Sequence, residues 1–95
     1  MLDYREILDT VNENIKNLNI KNFQDLNKLS SFLYITKEPL MTSKEDSIEF
    51  YTYCAIQNVS ICVDNCRDNL INDKITLSEA EEQIKKQWND DYAKF

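Results

Sequence analysis

The chain has 95 residues, enough for one domain with one hydrophobic core. It holds no histidine, no glycine and one proline, and its 17 acidic against 11 basic residues leave a net charge of −6. Imidazole general-base chemistry and glycine-rich phosphate or dinucleotide loops are therefore excluded, strand-rich folds are disfavoured because their tight turns lean on glycine, and direct binding to a nucleic-acid backbone lacks the clustered bases it needs.

The first helix is expected over residues 3–18. Asp3 stands three before Glu6, a capping-box variant, and Tyr4, Ile7, Leu8, Val11, Ile15 and Leu18 mark one apolar face. Arg5, Glu6, Asp9, Glu13 and Lys16 fall on the other face. A second helix is expected over residues 22–35, capped by Asn22 with Asp25 behind it. Its apolar side is Phe23, Leu26, Leu29, Phe32 and Leu33. The short connection predicts an antiparallel hairpin. Pro39 then breaks the chain, and it should push Glu38 out of the α region.

The longest element is expected from Thr42 to Asn72, and it organises the chain. Two overlapping capping boxes, Thr42 with Glu45 and Ser43 with Asp46, mark its start. One stripe is Ile48, Tyr51, Ala55, Val59, Cys62, Cys66 and Leu70. A second set, Phe50, Tyr53, Cys54, Ile61 and Val63, lies off that stripe, so the helix should be central, with neighbours on several sides. A strand over Tyr51–Val63 is the rival assignment, weakened by poor alternation. Residues 42–72 as one helix would run to about 45 Å, longer than a domain of this size needs. Asparagines near 69–72 should end it in place of the usual glycine. The last helix is expected over Leu77–Tyr92, capped by Thr76 with Glu79 or Ser78 with Glu81, with Leu77, Ala80, Ile84, Trp88, Tyr92 and Phe95 on one face. The fold class is all-α: one domain, 1–95, a small four-helix bundle of two helical hairpins around one long central helix.

Chemistry-bearing constellations are sparse. Cys62 and Cys66 share a helix face, with Cys54 two turns earlier, but a structural zinc site wants four ligands and no fourth presents itself. Three small core hydrophobes are the simpler explanation. Residues 68–79 echo a calcium loop at Asp68, Asn72 and Glu79, yet Leu70 stands at the third position and Asp73 where the sharp turn wants glycine. No enzyme, cofactor or metal site is expected. No apolar run approaches the roughly 20 residues of a membrane span. Three cysteines without a signal-peptide pattern point to a reducing, cytoplasmic setting.

The expected function is protein binding. Small acidic helical proteins of this profile include inhibitors encoded by phages or mobile elements, anti-CRISPR-like proteins among them, as well as immunity proteins and antitoxins. An inhibitor or regulator of this kind would lay its acids over a basic, nucleic-acid-binding surface of a protein partner. The expected contact set is Tyr34, Tyr53 and Tyr92 as aromatic anchors with Glu38, Asp46, Glu49, Asp90 and Asp91 as an acidic rim. The alternative is a structural homodimer or larger helical assembly built on the long helix.

Overall fold

Asp3 opens the first helix: its carboxylate accepts from the Arg5 N–H at 3.2 Å, and helix α1 runs Tyr4–Lys16. The computed structural model describes residues 3–95. Asn22 caps helix α2, Phe23–Lys37, by accepting from the Asp25 N–H at 3.1 Å. Thr76 and Glu79 cap each other reciprocally at the start of helix α4, Leu77–Tyr92. In the turn before α4, Glu79 is thus bonded to the Thr76 N–H, and Asn72 donates to the Asp68 carbonyl.

Helix α1 ends at Lys16 rather than at residue 18, and two further boundaries differ from expectation. The residues before Pro39 stay helical: Glu38 has φ −53° and ψ −45°, and the chain passes from α2 straight into a 3₁₀ turn, Glu38–Leu40. Proline disfavours helical backbone in the residue before it without forbidding it. Here Lys37 and Leu40 are both buried, which holds the segment down. The long helix, α3, begins later than expected and spans Ile48–Ile71. Its cap is Ser47, which accepts from the Phe50 N–H at 3.1 Å, and not Thr42 or Ser43. Asp46, at φ 67°, turns the chain just ahead of it. At 24 residues α3 is about 36 Å long. The molecule measures 39 × 21 × 19 Å, so α3 spans it end to end and does not project.

The far end of α3 closes with a left-handed residue. Asp73, at φ 57°, follows the Asn72 cap; Lys74 N–H bonds the Asn69 carbonyl at 2.8 Å and Asp73 N–H bonds that of Leu70 at 3.1 Å. This is the usual glycine termination carried out by aspartate.

Cross-helix contacts set the topology. Asn27 with Arg67 and Lys37 with Gln57 make α2 and α3 antiparallel. Cys66 with Gln83 and Asn58 with Asp91 do the same for α3 and α4. Asp9 with Tyr92 and Asn12 with Trp88 do so for α1 and α4. The bundle is all-α and runs up-down-up-down. Its cross-section is skewed. The α1 backbone lies closest to α4 and then to α3, while α2 lies closest to α3. The front hairpin is antiparallel but open, with clefts along its seam lined at one end by Asn14, Leu18 and Leu29 and at the other by Ile7, Ile35 and Pro39.

The core gathers Ile7, Leu8, Val11 and Ile15 of α1, Leu26, Leu29 and Leu33 of α2, and Ala80, Ile84 and Trp88 of α4 around α3. The buried stripe of α3 is Thr52, Ala55, Ile56, Val59, Val63 and Cys66, turned slightly from the expected one. Thr52 can be buried because its hydroxyl donates to the Ile48 carbonyl at 2.8 Å. Ile48 and Tyr51, expected inside, are exposed.

Candidate interaction surface

The up-down topology brings four chain segments to one end of the bundle: the start of α1, the end of α2 with its 3₁₀ turn, the start of α3 and the end of α4. Residues 3–9, 37–49 and 90–95 hold nine of the 17 acids but only four of the 11 bases, or five of the six net negative charges. Part of this acidity serves the helices themselves, since Glu6 and Glu49 sit in first turns where they answer the dipoles of α1 and α3. Glu38, Glu45 and Asp90 are exposed and have no ion-pair partner among the described residues.

Between the start of α3 and the end of α4 lies an open groove of about 310 Å³, lined by Ile48, Tyr51, Cys54, Ala55, Asn58, Asp91, Lys94 and Phe95. Ile48, Tyr51 and Phe95 are 41%, 51% and 37% exposed, so its walls present apolar surface to water. The lips are polar. Tyr51 donates its hydroxyl to Asp46 at 3.3 Å. Asp91 accepts from Asn58 at 3.3 Å and from Gln87 at 3.1 Å, and pairs with Lys94 at 3.8 Å.

The expected contact residues do not form one patch. Asp46 and Asp91 flank the groove, with Asp90 exposed beside Asp91. Tyr34 is exposed on α2, its ring 5.2 Å from the Lys37 ammonium, with Glu38 one turn on. Glu49 is half-buried. Tyr53 and Tyr92 are not free anchors: both pack on the core. Tyr92 stacks 5.6 Å from Trp88, donates to Asp9 at 3.2 Å and lies 5.9 Å beneath Arg5, so it belongs to the α1–α4 seam. A single residue step, about 100° around the helix, separates these fates: Asp91 bonds Asn58 of α3 while Tyr92 bonds Asp9 of α1. The aromatic residues that do stand at the groove are Tyr51 and Phe95; Tyr51 is the one on α3. Its i, i+3 and i+4 spacing to Ile48 and Ala55 was visible in the sequence but indicates burial and exposure equally well.

The cysteines divide by depth. Cys66 is buried, its thiol 3.6 Å from Gln83 Oε1 and 3.9 Å from the Ala80 carbonyl. Burial pushes its pKa up to about 12, helped by the adjacent Cys62, and burial also raises that of Cys62. Thiols held protonated in this way are poor nucleophiles and poor metal ligands. Cys54 is half-exposed in the groove.

Among the described residues no helix is long and apolar enough to cross a membrane. Comparison with protein-family models, with curated proteins and with solved structures returns no match.

Proposed function

We propose that the protein acts by binding another protein, as an inhibitor or regulator that covers a basic surface of its partner, of the kind such a partner uses to hold nucleic acid. The observation that carries this is the concentration of net charge at one end, where exposed Glu38, Glu45 and Asp90 have no ion-pair partner among the described residues. An acidic end of this kind speeds encounter with a basic surface and makes the association salt-sensitive. A phage- or mobile-element-encoded inhibitor of a host defence enzyme, or an immunity protein, fits this mode of action.

The test has two stages. The tagged protein is used to capture partners from host lysate at low and high salt. The association rate with the captured partner is then compared between wild type and an E38Q/E45Q/D90N variant. The expected result is a rate about tenfold or more lower in the variant, with a shallower salt dependence. A variant that associates as fast as wild type, with the same salt dependence, overturns the proposal.

A further inference from the structure

We propose that the α3–α4 groove is an anchor site for one large apolar side chain carried on a lysine- and arginine-rich segment of a partner protein. The proposal rests on the charge-led function above for the sign of the partner, and adds where the partner is gripped and by what.

Three observations select this occupant. The groove walls are apolar and open to water at Ile48, Tyr51 and Phe95, with Ala55 buried beneath. Contiguous exposed apolar surface framed by polar groups is the usual mark of a docking site. The volume of about 310 Å³ lies at the small end of the range for ligand sites, which suits a single large side chain better than a cofactor. The lips are acidic. Glu45 and Asp46 stand in the turn before α3, against one base there, Lys44; Asp90 and Asp91 stand at the end of α4, and among the described residues the one base lining the groove, Lys94, is paired with Asp91.

Charge also decides among the occupants. A second copy docked through the same end would set acid against acid. A neutral ligand would fill the groove and leave exposed Glu45 and Asp90, which have no ion-pair partner among the described residues, unanswered. A basic segment satisfies both parts: its apolar residue excludes water from the groove, and its flanking cations meet the acids. This is the hot-spot pattern of a desolvated anchor inside a polar ring.

The test uses synthetic peptides of about nine residues against the full chain, read by amide chemical shifts and titration. The first is lysine- and arginine-rich with one central tryptophan. The second carries alanine in place of the tryptophan, and the third keeps the tryptophan but replaces every base with serine. The expected result is that the first peptide shifts the amides of Ile48, Tyr51 and Asn58, and that the second binds about tenfold or more weaker. I48S and Y51S alter exposed positions, so they should leave the far-ultraviolet circular dichroism unchanged while weakening the first peptide to the same degree. Equal binding of the first and second peptides, or shifts confined to the α1–α2 seam, overturns the groove as anchor and leaves the charge-led function standing. Equal binding of the first and third peptides overturns the basic partner, and with it the charge-led function.

Discussion

The indole Nε1–H of Trp88 donates to Asn12 Oδ1 at 3.1 Å, across the seam between α4 and α1. Trp88 is fully buried and is the largest side chain in the core. Its single polar hydrogen therefore has to find a partner inside the protein, and a half-buried asparagine on α1 supplies it. Tyr92 and Asp9 repeat the pattern one turn further along the same seam.

Removing that acceptor should weaken the bundle without emptying the core. Asn12→Ala leaves a buried indole N–H unpaired, and the expected loss is about 1–3 kcal/mol in denaturant unfolding. Trp88 is the only tryptophan, so its fluorescence reports the site directly. A variant as stable as wild type with unchanged emission would show that the bond contributes nothing.

The start of α3 gives a second expectation. Ser47 carries the cap, so Ser47→Ala should cost about 1 kcal/mol. Thr42→Ala and Ser43→Ala should change stability by less than about 0.5 kcal/mol, since neither residue caps the helix. Chemical denaturation of the three variants separates the two possible starts.

The end of α3 should respond in the opposite sense. Asp73 holds a left-handed conformation that glycine adopts without steric cost, so Asp73→Gly should stabilise by up to about 1 kcal/mol. Asp73→Val should destabilise by at least about 1 kcal/mol, because a β-branched side chain clashes there. Thermal unfolding of the pair tests the assignment, and a change of the same sign in both variants would refute it.

Cys66 makes stability depend on alkaline pH. Its thiol is held protonated up to about 12, against 9.0 for an unperturbed cysteine. Between those values the unfolded chain has released the proton and the folded chain has not. Folding is therefore fully supported below pH 9 and progressively disfavoured as pH rises toward 12. Cys66→Ala should be less stable at neutral pH, through lost packing, yet lose less on alkalisation. Unfolding measured from pH 7 to 11 checks both. Alkylation followed by mass spectrometry should label half-exposed Cys54 before buried Cys66.

Much of the local structure was legible in the residues. Asp3, Asn22 and Thr76 each begin a helix with a side-chain cap that needs only the next three residues, and all three are used. The apolar spacing on α1 and α4 marks their buried faces, because a single neighbouring side decides their exposure; the exception is Phe95, expected on the α4 face, which lies beyond the end of that helix and is exposed. The start of α3 was less legible. Thr42, Ser43 and Ser47 all offer a capping hydroxyl, and local chemistry alone does not rank them. The turn at Asp46 and the burial of Leu40 make the choice.

The candidate surface was legible only in part. Exposed acids at positions 38, 45, 46 and 90 follow from the residue types, but their gathering at one end follows from the up-down topology. The groove has no sequence signature, because Ile48, Tyr51 and Phe95 carry the same apolar character as the core.

By itself, then, the sequence determined an all-helical chain, with no glycine for tight strand turns, no histidine for imidazole chemistry and a surplus of acids. These are properties of residue types and near neighbours. Only the tertiary structure decided which apolar residues are buried, since burial depends on how far each neighbouring helix reaches. Helix α3 has partners along most of its length, but near its start α4 leaves one side open, and there Ile48 and Tyr51 face water.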